Sequence, residues 1–309
     1  MNKLRITVCC NNRMALPSLQ FLAHNGVLAG IGIPETNSEI KQDCLTMFGQ
    51  SNISVYSLKH KSLSLDFENW LREIDSNLVW LMTFPWKIPQ ALLDLSNVSF
   101  YNFHYGLLPK MRGVDPIFEC IRRKESETGI TVHRITPKID EGPILKVQKI
   151  ELKATTTHGS LCTEMATLAV TICSQLLPLF TSQIAPTTEP QSNKDAHYYG
   201  RPGIMDVLIN WNTMDSLTVD ALVRACNPWN KGAYVRFKNS FFRILSVSES
   251  GISNENHRSG TILKSKDGSC LIYCRDKKLL KINIIYLEEG FFEGSKVFTL
   301  GIKENDVLN

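Results

Sequence analysis

Asn102 and His104 are two residues apart in a segment with the composition of a β-strand. On a strand, side chains two apart project from the same face, so an amide and an imidazole would lie side by side. The amide can donate a hydrogen bond to a developing oxyanion, and the imidazole can carry a proton near neutral pH. The spacing therefore predicts a small catalytic pair. It equally allows a structural role, with Asn102 capping a turn and His104 satisfied in the core.

A second polar segment, residues 136–143, reads TPKIDEGP and places Asp140 and Glu141 between proline and glycine residues. A carboxylate held against an imidazole favours the protonated ring and raises its pKa. This loop is therefore a candidate partner for His104. Taken alone, it also has the composition of an ordinary acidic turn.

The elements that must position these residues alternate between short apolar segments and amphipathic ones. The alternation predicts strands at residues 4–9, 27–33, 53–57 and 78–82, and helices at 16–24, 38–48 and 67–74. This β-α-β rhythm is typical of a doubly wound parallel sheet, which binds ligands at the carboxyl ends of its strands. The first loop after a strand, residues 9–14, has no glycine, which argues against a dinucleotide cofactor.

The middle and the end of the chain differ in composition. Further strands are predicted at residues 99–104, 129–134 and 144–150, with helices at 115–123 and 161–180. Residues 181–203 are rich in Thr, Pro, Gln, Ser and Asn, and beyond them a helix at 219–226 precedes short strands. We expect a catalytic domain over 1–180, a linker over 181–203, and a small antiparallel β-barrel over 204–309.

Composition restricts the cellular setting more than the activity. The 309 residues carry a net charge of +4, which is too mild to indicate a polyanionic partner by itself. The nine cysteines are odd in number and have no regular spacing, so they fit a reducing compartment rather than a disulfide framework. There is no long apolar run and no secretory signal, and we expect a cytosolic protein without a membrane span.

Three parts of the sequence resemble folate-dependent formyltransferases. Residues 102–109, NFHYGLLP, resemble the family signature Asn-x-His-x-Ser-Leu-Leu-Pro. Residues 127–133, ETGITVH, followed by DEG at 140–142, resemble the second family signature. NPW at 227–229 is similar to the opening of the C-terminal domain in this family. The likeness covers nearly the whole chain, and the ordered combination is far more specific than either loop alone.

The resemblance implies a fold and a reaction. It implies an α/β, Rossmann-like catalytic domain followed by a smaller β-barrel of the oligonucleotide-binding type, and transfer of a formyl group from 10-formyltetrahydrofolate to an amine. By position, Asn102 would stabilise the oxyanion, and His104 would move the proton from the attacking amine towards the departing folate nitrogen. Asp140 would orient and charge the imidazole. The family needs no metal.

Two segments would bind the folate, one after the fourth strand and one before the catalytic aspartate. A flat, polar-edged pterin suits loop hydrogen bonds and apolar walls. The residues concerned are Phe84, Trp86, Lys87, Ile88, Thr136, Pro137, Lys138 and Ile139. Without the resemblance, Trp86 would be interpreted as a core aromatic residue.

Two positions depart from the family pattern. Residue 106 is glycine where the family usually has serine, so a hydroxyl next to His104 is missing. Val114 replaces the arginine carried by relatives that act on sugar nucleotides, such as the enzyme that formylates UDP-4-amino-4-deoxy-arabinose. Neither change affects the three catalytic positions.

The identity of the amine depends on a loop. Methionyl-tRNA formyltransferases carry a basic insertion after the second strand, whereas residues 33–39 are short and acidic here, a poor match for a phosphate backbone. The segments YGR at 199–201 and TVHR at 131–134 are similar to segments of sugar-nucleotide N-formyltransferases. We expect a small amine, most simply a nucleotide-linked amino sugar, with methionyl-tRNA as the alternative.

A non-enzymatic role is the third alternative. A formyltransferase-like binding module would be expected to have lost part of the triad, yet Asn102, His104 and Asp140 are all present. Homodimerisation also remains open. Phe291 and Phe292 could form such a contact, although burial in the barrel is the simpler expectation.

Overall fold

The computed structural model describes residues 4–182, 186–238, 240–253 and 255–308. They form two compact units. The first unit comprises residues up to 116, 128–150 and 162–199; the second comprises 117–127, 151–161 and the residues from 200 onward. The predicted domain limits at residues 180 and 204 stay a prediction.

In the described part of the chain before residue 200 there are nine strands and six α-helices. The strands are β1 (Ile6–Cys10), β2 (Leu28–Pro34), β3 (Ser54–Leu58), β4 (Leu78–Met82), β5 (Ser99–His104), β6 (Arg112–Gly113), β7 (Glu127–Arg134), β8 (Ile144–Glu151) and β9 (Tyr198–Tyr199). The helices are α1 (Leu16–His24), α2 (Ser38–Phe48), α3 (Leu63–Glu73), α4 (Gln90–Leu93), α5 (Pro116–Arg122) and α6 (His158–Thr181). Most of the predicted elements lie within three residues of these bounds.

Seven of these strands form one sheet in the order β3-β2-β1-β4-β5-β7-β8. The pairs from β3 to β5 are parallel, which confirms the predicted α/β class. Strand β7 differs from a purely parallel sheet because it runs antiparallel to β5. This reversal sets residues of β7 opposite the residues of β5 that carry the predicted catalytic pair.

The central strands are buried on both faces. All residues of β1, β2 and β4 are buried, as expected for parallel strands covered by helices. Helix α3 packs very closely on β2, since a Cβ added at Gly30 would lie 2.6 Å from Ile74 Cδ1 and 2.7 Å from Trp70. Trp70 is held there by a 2.9 Å hydrogen bond from its Nε1 to Ser54 Oγ.

Helix α6 is, among the described residues, the one helix long and apolar enough to cross a membrane. Its fully buried side chains recur every three or four residues, which is the pattern of a core helix with one buried face. They are Leu161, Met165, Ala169, Ile172, Cys173 and Leu176. The opposite side of the helix carries polar residues such as Thr163 and Thr167.

The second unit is built on an antiparallel sheet, as predicted. Its strands are β10 (Ala233–Phe237), β11 (Ser240–Ile252), β12 (Ile262–Lys264), β13 (Cys270–Tyr273), β14 (Lys278–Leu287) and β15 (Gly290–Glu293), in the order β10-β11-β14-β13-β12 with β15 beside β14. Helix α7 (Ser216–Ala225) begins at Asp215, whose side chain accepts from Thr218 N at 2.8 Å. Phe291 is 56% exposed, so its expected burial was wrong: it lies on the solvent-facing side of β15.

Candidate active site

The site forms at the carboxyl end of β5, where the antiparallel strand β7 runs alongside. In this register Asn102 lies opposite His133, and His104 lies opposite Thr131. Directly opposed residues share a face of the sheet, so all four side chains project to the same side. The pairing confirms that Asn102 and His104 share a face and adds two residues to them.

His104 is buried, with partners at both ring nitrogens. Its Nε2 lies 2.5 Å from Met111 O, and its Nδ1 lies 3.6 Å from Asp140 Oδ1. Because a carbonyl oxygen only accepts, Nε2 carries a proton. Burial lowers the pKa of His104 below its usual 6.5, although the charge of Asp140 acts in the opposite direction. The predicted rise in pKa was therefore wrong in its net sign, since desolvation outweighs the carboxylate.

Asp140 is the point at which three elements meet. Its Oδ2 accepts from Gly113 N at 3.0 Å, and its Oδ1 also lies 3.5 Å from His133 Nε2. Burial opposes its ionisation, but His104, His133 and the Gly113 amide outweigh that cost and lower its pKa to about 2. The loop thus presents a buried carboxylate, ionised at neutral pH, to both imidazoles.

His133 is the site residue that sequence reasoning missed. The residue is 2% exposed, and its Nδ1 lies 3.0 Å from Arg134 O, so Nδ1 is the protonated nitrogen. In the neutral ring Nε2 then accepts from Asn102 Nδ2 at 3.2 Å. This contact fixes which way the Asn102 amide faces. The signal was present in the 127–133 motif, but only the antiparallel register shows what His133 meets.

Thr131 anchors the loop that follows β5. Its buried hydroxyl donates to Gly106 O at 2.8 Å and accepts from Leu108 N at 3.1 Å. Gly106 itself has no room for a side chain, because a Cβ there would lie 2.6 Å from Pro116 Cβ and 3.2 Å from His104 Nε2. The absence of the family serine is therefore matched by closer packing around His104.

Comparison with known proteins assigns a family to both halves of the chain. The Formyl transferase family matches residues 36–177, and the Formyl transferase C-terminal domain matches residues 205–298. The chain belongs to the formyl transferase family. Members of this family are folate-dependent N-formyltransferases, so the predicted family and enzyme class are confirmed.

The most similar proteins divide by type. The methionyl-tRNA formyltransferase of Dictyoglomus thermophilum is 26% identical over 214 residues, covering 69% of this chain and 67% of that protein. An N-formyltransferase of Helicobacter canadensis, solved with folinic acid and dTDP-3-aminofucose, has a TM-score of 0.68 at 16% identity, covering 91% of this chain and 99% of that one. HypX of Aquifex aeolicus, solved with tetrahydrofolic acid, has a TM-score of 0.67 at 18% identity over 98% of this chain, which spans only 49% of HypX. The two structural likenesses show the fold.

The first predicted folate segment of this formyl transferase packs on a cluster of apolar side chains, and the residue before the second segment packs on the same cluster. The rings of Phe84 and Trp86 contact each other edge to face, with 5.3 Å between their centroids, and pack on the buried core beside β4. Ile135, directly before the second segment, packs on the same cluster, to which the buried Ile88 belongs. Lys87, Pro137, Lys138 and Ile139 are exposed, and Thr136 Oγ1 donates to Lys138 O at 3.1 Å. Their part in folate binding remains a prediction.

The connection between β2 and α2 is only three residues long, from 35 to 37. Glu35 N donates to Leu58 O at 2.8 Å, which ties the start of the connection to β3. Asn37 caps α2 by accepting from Ile40 N at 3.2 Å and donates to Asn11 O at 2.7 Å. This formyl transferase therefore has a tight turn between β2 and α2.

Proposed function

We propose that this formyl transferase moves the formyl group of 10-formyltetrahydrofolate to the amine of a nucleotide-linked amino sugar or a similarly small amine. The observation that carries the proposal is the convergence of Asn102, His104 and Asp140, joined by His133, at one strand end. An oxyanion donor, a proton carrier and a charged orienting group are what attack on a formyl carbon requires.

The chemistry follows from the protonation states in the site. The amine attacks the formyl carbon, a C–N bond forms, and the carbonyl oxygen becomes an oxyanion that the Asn102 amide stabilises by donation. His104, neutral because burial lowers its pKa, takes the proton of the attacking nitrogen on Nδ1, since Nε2 already carries the proton donated to Met111 O. The ionised Asp140 stabilises the resulting imidazolium. His104 then delivers the proton to the folate nitrogen as the old C–N bond breaks.

The short connection at residues 35–37 supports a small acceptor. It exposes Glu35 and Thr36, and Glu39 follows in the first turn of α2. Arg13 does not supply a free cation nearby, since it lies 2.8 Å from Asp43 and 4.0 Å from Glu39. A phosphate backbone would meet repulsion at this edge.

The nine cysteines are free thiols, which agrees with a reaction in the cytosol.

Methionyl-tRNA is the second candidate acceptor, and two observations favour it. The curated relatives at 26–28% identity are methionyl-tRNA formyltransferases. In the second unit, Tyr234, Arg243, Tyr286 and Phe291 form a row across one face of the sheet. Phe291 is exposed and the other three side chains are half-buried. Aromatic and basic side chains on one face of a sheet can stack on bases and contact phosphates.

Release of tetrahydrofolate, measured with defined amines, tests the proposal. The purified chain is given 10-formyltetrahydrofolate with nucleotide-linked 3-amino and 4-amino sugars and, separately, with methionyl-tRNA. We expect turnover with an amino sugar. Turnover with methionyl-tRNA alone would overturn the small-amine acceptor and establish the second candidate.

Variants test the catalytic assignment separately. His104→Ala and Asp140→Asn are expected to lower turnover by about a hundredfold or more, the usual scale for losing acid-base or oxyanion groups. His24→Ala, at an exposed position on α1, serves as the matched control and is expected to keep full activity. Near-normal turnover of both site variants would contradict the mechanism, and no turnover with any amine would favour a binding module.

A further inference from the structure

We infer that Gln191 and Arg112 are positioning residues that hold Asp140 in place through a segment that follows α6. This segment, residues 189–199, is called the strap below. The inference rests on the proposed function, because it takes Asp140 to be the carboxylate that serves His104.

The strap forms backbone hydrogen bonds with both loops of the site. At its start, Glu189 pairs with Ile144, immediately after the acidic loop, through two hydrogen bonds of 2.7 and 2.8 Å. At its end, His197 O accepts from Arg112 N at 3.0 Å, and β9 pairs with β6. The loop after β5 and the loop that carries Asp140 are thus joined through one piece of chain.

Gln191 lies between these two attachment points and uses both ends of its amide. Its Nε2 donates to Asp140 O at 2.8 Å and to Gly142 O at 2.7 Å. Its Oε1 accepts from Arg112 Nε at 3.2 Å and from Arg112 Nη2 at 2.9 Å. One neutral side chain therefore fixes the backbone on both sides of Glu141.

Arg112 completes the frame from the other loop. Its guanidinium is nearly fully buried and also donates to Asn193 Oδ1 at 3.1 Å, with Glu141 Oε1 at 3.6 Å from Nη1. The next residue, Gly113, donates its backbone N–H to the Asp140 carboxylate. Arg112 thus connects Gly113, which holds the Asp140 carboxylate, to Gln191, which holds the Asp140 backbone carbonyl.

The backbone of Asp140 needs this support. Its φ is +55°, in the left-handed region that non-glycine residues occupy at a cost unless their surroundings fix them. Its Oδ1 is already 3.6 Å from His104 Nδ1, so a small displacement would end the contact. Displacements of about 1 Å at a reacting centre can cost about a hundredfold in rate.

Two substitutions separate positioning from mere attachment of the strap. Gln191→Ala removes all four contacts, whereas Gln191→Glu keeps the side-chain volume and an acceptor for Arg112 but cannot donate to the two carbonyls. We expect each to lower kcat roughly 10- to 100-fold with little change in KM. We also expect each to shift the pKa of His104, followed by NMR, downward, because Asp140 has moved away.

The controls distinguish this inference from the proposed function. Lys194→Ala, at an exposed strap position, should leave kcat and the pKa of His104 unchanged. Asp140→Asn is measured alongside, and in that background Gln191→Glu should cause no further loss, since coupled residues are not additive. If Asp140→Asn retains turnover, the proposed function falls. If Asp140→Asn is inactive while Gln191→Glu keeps wild-type kcat and His104 pKa, the positioning role alone is overturned.

Discussion

Asp140 shows how one residue can serve two imidazoles. Its Oδ1 faces both His104 and His133, while its Oδ2 is held by a backbone amide. The carboxylate is therefore shared, and neither ring can be moved without affecting the other. His133 in turn contacts Asn102, so the proposed oxyanion donor, Asn102, and the proposed proton carrier, His104, depend on the same anion.

The electrostatic link between Asp140 and His104 can be measured without an activity assay. Burial lowers the pKa of His104, and the charge of Asp140 raises it. Asp140→Asn removes the charge and should lower the pKa of His104 further below 6.5, as read from the NMR titration of its ring. Asp43→Asn, at the Arg13 pair, is the control and should leave this titration alone. An unchanged or higher pKa in Asp140→Asn would contradict the geometry.

Gly106 gives a prediction that opposes the family pattern. Restoring serine would bring its Cβ to 2.6 Å from Pro116 Cβ, at the rigid start of α5. We expect Gly106→Ser to destabilise the protein by about 1–3 kcal/mol, the usual cost of overpacking, and to slow turnover. Urea unfolding measures the first effect. Gly200→Ser, where no atom lies within 4 Å of the added Cβ, should cost little; equal stability of both variants would show that the loop adapts.

At the scale of elements, local sequence signals predicted the bounds of helices well but did not predict how the strands pair. Helix α2 runs over the predicted residues because Asn37 caps its start and Gly49 follows its end. Helix α3 begins at Leu63, four residues earlier than predicted. The prediction left out this first turn because Leu63 and Leu65 alternate with serine, which is the pattern of a strand. Its buried residues Phe67, Trp70 and Leu71 show that helical packing decided the outcome.

The direction of β7 could not be predicted from its sequence. Its six central residues are all buried, so no alternation distinguishes a parallel from an antiparallel neighbour. Direction decides which residue faces Asn102, and hence whether His133 belongs to the site. The path of residues 189–199 was equally hidden, since a polar composition indicates a loop without showing what the loop binds.

Thr131 tests the contribution of β7 to the loop after β5. Thr131→Val keeps the shape of the side chain but leaves Leu108 N and Gly106 O without their partner. The cost of unmade buried hydrogen bonds is about 1–3 kcal/mol, and we expect that loss together with a lower kcat. The matched control is Thr7→Val in β1, which removes the buried hydrogen bond from Thr7 Oγ1 to Ser76 Oγ. It should lower stability without the same effect on kcat, and equal kcat losses would refute a local role for Thr131.

At the scale of the whole molecule, the second unit contains two segments from earlier in the chain, 117–127 and 151–161. Both are held by residues beyond 200. Lys124 Nζ donates to Thr218 Oγ1 at 2.9 Å, and Arg224 Nη1 donates to Thr156 O at 2.9 Å. The ring of Trp229 contacts those of Phe118 and His158, with centroid distances of 5.2 and 5.8 Å.

A truncation after residue 203 tests the predicted domain boundary. Removing the later residues exposes the partners of Trp229 and of α7, so we expect the shortened chain to unfold at lower urea concentration and to be cut by protease near residues 117–127 and 151–161. Trp229→Ala in the full chain is the milder comparison. A truncated chain as stable and as protease-resistant as the full chain would establish the first 203 residues as an independent domain.

The tight turn at residues 35–37 has a consequence for engineering. Both of its ends are anchored, one by Glu35 N on β3 and one by Asn37 on α2 and Asn11, while Thr36 between them is exposed. Lengthening an anchored surface loop costs little free energy, because the entropy of closure grows only slowly with length. This turn is therefore a suitable insertion point. Grafted loops of different charge could be used to select new acceptors, while the proposed active site at the end of β5 stays unchanged.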